Sequence, residues 1–339
     1  MNLAICAVGF RSGHMNSQSP SLPRLAIVVP CYNESEVFSY CLTELGGYLG
    51  RMIGDGMISP ASYLLFVDDG SRDDTWRQIS AATKNHAHVR GLKLSCNKGH
   101  QAALLTGLAN ADNADAIVSI DADLQDDINA IGEMVKSYVA GHDVVYGVRA
   151  SRQTDTAFKR MTAEVFYRLM TMMGVKQVFN HADFRLLSSR ARDALLEYHE
   201  RNIYIRGLVP LVGFPSAEVY YDRRERTAGV SKYPLHKMMA LALALEGITS
   251  MTVMPLRIIT LTGFIISAVA ILAIVVVLIN KMIGNPIQGW ASVIVALFFM
   301  GGVQMLCLGI IGEYLGKIYL ETKRRPRSHI EEKEGFGSP

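Results

Sequence analysis

The sequence predicts a mostly parallel, doubly wound α/β sheet, followed by a helix at a membrane interface and a hairpin of two membrane-spanning helices. Two observations carry that prediction. Short Val- and Ile-rich runs alternate with helical stretches over the first two thirds of the 339 residues, and two long charge-free stretches follow nearer the C-terminus. Strand–helix alternation implies parallel strands with helices on both faces. An apolar stretch of about 20 residues is long enough to cross a bilayer as a helix.

Residues 1–23 are expected to be a disordered extension. Leu3–Phe10 is apolar but short and has no basic region before it, and Ser17–Pro23 is rich in Ser and Pro. A cleaved signal peptide needs a basic start and a longer apolar run.

The α/β pattern occupies residues 24–233. Leu25–Val29, Leu64–Val67, Ile117–Ile120 and Val144–Tyr146 read as buried strands, each ending in a Pro, Asp or Gly cluster. Helical stretches such as Glu34–Leu49 and Gln101–Ala111 lie between them. Sheets of this kind bind ligands at the carboxyl ends of their strands, and the polar motifs fall there.

Val28–Glu34 reads VVPCYNE; Asn33 suits a helix cap, and a helix start offers free N–H groups to a base or phosphate. Phe66–Thr75 reads FVDDGSRDDT, placing Asp68 and Asp69 at a strand end, where a carboxylate can accept from a nucleobase N–H or a ribose hydroxyl. Asp73 or Asp74 suits capping of the next helix. Asn97–Gln101, NKGHQ, opens another helix, and Lys98 with the backbone at Gly99 either meets phosphate or only turns the chain.

Ile120–Asp127 reads IDADLQDD. Two carboxylates, Asp121 and Asp123, with diphosphate oxygens and water, make an oxygen shell suited to Mg²⁺ or Mn²⁺, and Gln125 adds a carbonyl. His181–Leu186 reads HADFRL; in an extended piece Asp183 and Arg185 share a side, as a salt bridge or as part of a site. Arg223, Arg224 and Arg226 precede Gly229, Ser231 and Lys232 in a basic loop that suits either a phosphate at the interface or anionic lipid heads.

Residues 234–252 are apolar with His236, Lys237 and Glu246 interspersed, and read as an amphipathic interface helix. Spans are expected at 258–280 and 288–312, joined through Gly284, Asn285 and Pro286. The first is about 34 Å long as a helix. Lys323, Arg324, Arg325 and Arg327 make the tail, 313–339, basic, while the hairpin turn holds only Lys281. The positive-inside rule therefore puts both termini and the large domain in the cytoplasm.

Composition excludes several classes. A net charge of +3 makes no case for nucleic-acid binding, and Cys6, Cys31, Cys41, Cys96 and Cys307 are dispersed without a CxxC pair, against a disulfide framework or zinc site. A processive polysaccharide synthase needs a QxxRW segment, yet neither Trp76 nor Trp290 follows an arginine. A membrane scaffold without activity has no use for three acidic strand ends in one sheet.

VVPCYNE, FVDDGS, DADLQD, DFRLLSSR and RTAGVSKY, in this order, resemble glycosyltransferase family 2, and most closely its polyprenyl-phosphate branch. ERNIYIRG, LEGITS and GEYLGKIYLETKRRP look most like the bactoprenol (undecaprenyl-phosphate) glucosyltransferases. The resemblance spans Leu25 to Arg327. It implies a nucleotide-binding sheet of the glycosyltransferase A type in the bacterial inner membrane, its catalytic domain cytoplasmic. Pro30, Tyr32, Glu34, Asp69 and Asp121 would then serve the nucleotide. Asp121, Asp123 and Gln125 would hold the metal and diphosphate, and Arg149, Arg226, Ser231 and Lys232 the phosphates of donor and acceptor. Asp183 and Asp123 are the implied catalytic residues. The implied partners are a nucleotide-sugar, most simply UDP-glucose, with a UDP-aminosugar or GDP-mannose as alternatives, a polyprenyl phosphate, the bilayer, and copies of the chain in a tetramer. One departure is visible: Asp127 and Ile128 stand where relatives often carry prolines, which bears on the shape of that loop.

Overall fold

Strand β1 (Leu25–Cys31) is buried at every position, because it lies mid-sheet with helices on both faces. The computed structural model describes residues 22–150, 181–201, 204–222, 249, 252–283 and 289–337. The eight-stranded sheet has the order β7-β5-β6-β4-β1-β2-β3-β8. Its other strands are β2 (Tyr63–Asp68), β3 (Val89–Leu94), β4 (Ala116–Ser119), β5 (Val144–Arg149), β6 (His181–Ser188), β7 (Ser216–Tyr221) and β8 (Ile330–Glu334). Neighbours pair in parallel except that β6 runs against β4 and β5, and β8 against β3. The sheet is thus mostly parallel and doubly wound, as the sequence predicts.

Side-chain alternation along β1 sorts the two cores. Leu25, Ile27 and Val29 meet Phe38, Cys41 and Leu45 of α1 (Phe38–Gly54), with Ile79 of α2 (Thr75–Asn85) and Met134 of α4 (Ala130–Val139). Ala26 and Val28 face the other way, toward Ala103 and Leu104 of α3 (His100–Ala109), with Leu195 of α5 (Ser189–Leu196) and Leu208 of α6 (Ile205–Leu211). Proline is excluded from most central strands because it lacks an N–H, yet Pro30 sits in β1. The β4 ladder has already ended at Val28–Ser119, so no neighbour on that side needs the missing donor.

Two apolar helices follow, α7 (Met254–Met282) and α8 (Trp290–Thr322). Both are long and apolar enough to cross a membrane. Phe264, Leu297 and Phe298 are exposed, which a lipid environment explains. Helix α8 begins at Trp290 and continues ten residues past 312, to Thr322. Nearly all of the expected N-terminal extension and of the interface helix, and the turn residues 284–288, lie outside the described residues.

The tail does not simply trail away. Beyond α8 it returns to the sheet as β8, whose Glu332 pairs with Lys93 at 2.8 Å, while Ser80 and Thr83 of α2 donate to Glu334.

Candidate active site

The carboxyl ends of β1, β2 and β4 gather the acidic motifs at one edge of the sheet. Asn33 is no helix cap: α1 starts at Phe38 without a side-chain cap. Asn33 takes φ +51 and its side-chain oxygen accepts the Arg72 N–H at 2.8 Å, joining the loop after β1 to the loop after β2. Asp73 joins them again by accepting from Ser35 and from the Thr75 hydroxyl, the latter at 2.6 Å. Tyr32 and Glu34 are half-buried in this double loop.

Asp69 is buried, and its two oxygens accept the backbone N–H groups of Lys98 at 2.7 Å and Gly99 at 2.8 Å. Burial pushes its carboxyl upward, against these two donors. Its shown work is to fasten the NKGH loop. The turn between them is tight: Gly70 has φ +66, and a Cβ there would stand 2.6 Å from the backbone of Cys96 and Asn97. Gly70→Ala combines left-handed strain with a backbone clash, each costing about 1–3 kcal/mol. Thermal unfolding should show a Tm lowered by several degrees; an unchanged Tm would mean the loops are not locked together.

Asp121 and Asp123 follow β4. Antiparallel pairing sets Ser119 opposite Arg185 at the end of the ladder, and Asp183 lies near enough to Asp121 for their charges to repel. Tight packing pushes the Asp121 carboxyl up to about 6, with Asp183, Asp126 and Asp123 adding to the rise and His100 opposing it. About half of the Asp121 side chain remains open, so crowding by like charge is the firmer part of that cause. His100, at the start of α3, lies 3.6 Å from Asp121.

The loop after Asp123 is fixed from the neighbouring strands. Leu124 has φ +46, and Asp126, buried, accepts from Tyr221 at 2.6 Å and from Arg149 at 3.1 Å. Arg149 and Tyr221 face one another across β5 and β7. The observed partner of Arg149 is therefore this carboxylate, and the arginine braces the loop that carries Asp123 and Gln125. Asp127 accepts from the backbone and side-chain nitrogens of Asn129, closing the turn.

Asp183 is clamped. Arg185 donates to it at 2.7 Å and Arg206 at 3.0 and 3.2 Å. Burial opposes its charge, but the guanidiniums of Arg206 and Arg185 prevail and hold the carboxyl well below the usual carboxylate range. Arg206, on α6, was not singled out by its local sequence; α6 brings it in, with Gln101 of α3 accepting the Ile205 N–H at 2.9 Å. Arg226, Ser231 and Lys232 lie outside the described residues.

Crowded carboxylates fit a hard divalent cation. Among the described residues no group of three or more His, Cys, Asp or Glu side chains forms a site by itself, so an ion at Asp121 and Asp123 would take further ligands from a bound diphosphate, as Mg²⁺ commonly does.

The mixed sheet, with its acidic strand ends, is of the glycosyltransferase A type. The chain belongs to glycosyl transferase family 2, whose model matches residues 26–196. It is 50% identical over 312 residues to the uncharacterized glycosyltransferase YkoT of Bacillus subtilis (strain 168), covering 92% of each chain. It is 36% identical over 313 residues to the bactoprenol glucosyl transferase of Shigella phage SfX, covering 92% of this chain and 100% of that one. Among solved structures it is similar to glucosyl-3-phosphoglycerate synthase from Mycobacterium tuberculosis, at 18% identity and a TM-score of 0.43, covering 65% of this chain and 76% of that one.

Proposed function

We propose that the chain transfers a single sugar, glucose from UDP-glucose, to undecaprenyl phosphate with inversion, giving a lipid-phosphate-linked sugar for cell-envelope or O-antigen modification. The observation that carries this reading is one edge of the sheet where Asp121, Asp123 and the clamped Asp183 meet, in a chain that continues into two apolar helices. The name of the Shigella phage relative supports the acceptor class and the sugar.

When bound, Mg²⁺ or Mn²⁺ at Asp121, Asp123 and Gln125 would neutralise charge on the departing diphosphate. Pro30, Tyr32 and Glu34 would line the nucleoside, with Asp69 holding the adjoining loop in shape. A polyprenyl monophosphate has a second pKa near ~6 and is mostly dianionic at neutral pH, so the attacking oxygen needs no strong base. Asp183, held ionised, is a weak one. Its role is to aim Arg206, which offers donors to a phosphate or sugar oxygen, while Arg226, Ser231 and Lys232 would receive the lipid phosphate. Attack in line on the anomeric carbon gives a β-linked product from an α-linked donor.

The test is a screen of radiolabelled UDP-glucose, UDP-N-acetylglucosamine and GDP-mannose with undecaprenyl phosphate and purified protein. Label should enter the lipid from UDP-glucose. Label from GDP-mannose alone would change the donor, and none from any donor would overturn the acceptor. Topology is tested separately. Because β8 pairs with β3, the tail lies on the side of the catalytic domain, and Asn285→Cys should react with an impermeant maleimide outside intact cells while Ser338→Cys should not. The reverse pattern would place the site away from cytoplasmic nucleotide-sugars.

A further inference from the structure

A cavity of about 890 Å³ opens where the end of α8 meets α3 and the stretch after α5. It is a different place from the acidic strand ends: Thr106, in its wall, is six residues along α3 from His100, about 9 Å. Its lining is strongly basic. Arg201, Arg324, Arg327, His199 and His329 face a single lining carboxylate, Glu321.

The arginines are only partly satisfied. The backbone N–H of Arg201 donates to Glu321 at 2.6 Å, but its guanidinium Nε and Nη1 are buried without a hydrogen-bond partner among the described residues. Arg327 is anchored through the carbonyls of Tyr198 and Glu200. Burial and the adjacent Arg201 lower its guanidinium. Two guanidiniums thus share a poorly solvated corner, and buried donors left unmade are costly. Phosphate oxygens match a guanidinium fork and would supply both the acceptors and the countercharge.

We propose that this cavity binds a phosphate-bearing anion, held by Arg201, Arg324 and Arg327 and separate from the sugar-transfer site. The cavity adjoins the last turn of α8, so the phosphate can come from an anionic lipid headgroup or from a soluble compound. The test uses full-length protein in phosphatidylcholine nanodiscs with EDTA, which silences diphosphate binding through a metal at Asp121 and Asp123. Pyrophosphate is titrated calorimetrically into wild type, Arg201→Gln and Arg324→Gln. Arg324 is exposed, so its replacement leaves folding intact even if the half-buried Arg201 does not tolerate change. Wild type should bind, and each loss of a guanidinium should weaken binding by about tenfold. Repeating the titration with phosphatidylglycerol in the discs separates the sources: suppressed binding assigns the site to lipid headgroups, undiminished binding to soluble phosphates. Equal binding by wild type and both variants would overturn the proposal, as would the absence of pyrophosphate binding together with equal retention of phosphatidylglycerol by all three. Neither result depends on which sugar the enzyme transfers.

Discussion

Asp123→Asn should lower the rate of sugar transfer by about two to three orders of magnitude while leaving the fold intact. The carboxylate is half-buried, and its bond to the Gln125 N–H at 3.3 Å can be kept by the Asn carbonyl. What is lost is one of the two charges offered to a metal at the leaving group. Such an ion contributes several kcal/mol of transition-state stabilisation, and each 1.36 kcal/mol is a factor of ten. Steady-state kinetics and a thermal melt on the same preparation give both readouts. EDTA should abolish transfer and Mg²⁺ or Mn²⁺ restore it; full activity in EDTA would remove the metal from the mechanism altogether.

Asp183→Asn should fail differently, in stability as well as turnover. Arg185 is among the most deeply buried side chains of the protein, and Asp183 is its ion-pair partner. Removing one member of a buried pair costs about 3–5 kcal/mol. Arg206 also loses its anchor, so turnover should fall more than donor affinity. Because the folded pKa lies below the unfolded one, near ~3.9, the pair stabilises the protein above that pH, and the contribution is lost as pH falls through the depressed value. The stability gap between wild type and Asp183→Asn should therefore be constant near neutral pH and narrow in strong acid. Arg206→Gln, at a half-exposed side chain, should keep most of the stability and reproduce the turnover defect. If Asp183→Asn is as stable as wild type, the clamp is not a structural pair; if Arg206→Gln turns over normally, the aspartate is not acting through that arginine.

The readable parts of this sequence are those where one physical demand dominates. Strands β1, β2, β4 and β5 are covered on both faces, so they appear as continuous apolar runs, and β2 and β4 lead straight into the acidic residues of the site. Where two demands compete, the local pattern misleads. Strand β6 carries Arg185 through the core, where Asp183 pairs with it. Strand β8, Ile-Glu-Glu-Lys-Glu, pairs on one side only and needs no apolar run, so it reads as a charged tail. Asn33 reads as a cap because its residue type suits one, yet its side chain is taken by Arg72, 39 positions away. The resemblance implies Arg149 as a phosphate ligand; its partner in the fold, Asp126, lies 23 positions earlier, a contact the local sequence does not announce. Arg206 has no local signature, since its role depends on α6 packing against α3 and β6.

Strand β8 also sets a timetable. Lys93 and its partner Glu332 are 239 positions apart, and between them the ribosome must make half of the strands and both apolar helices. At about 5–20 residues per second this takes on the order of 10–50 s. Throughout that interval the outer edge of β3 has no neighbour, a state that invites pairing with another chain. Arg90 and Lys93, spaced along that edge, put charge where a foreign strand would dock. A nascent chain stalled before its tail is made therefore remains unsealed, and its open edge distinguishes it from a finished molecule.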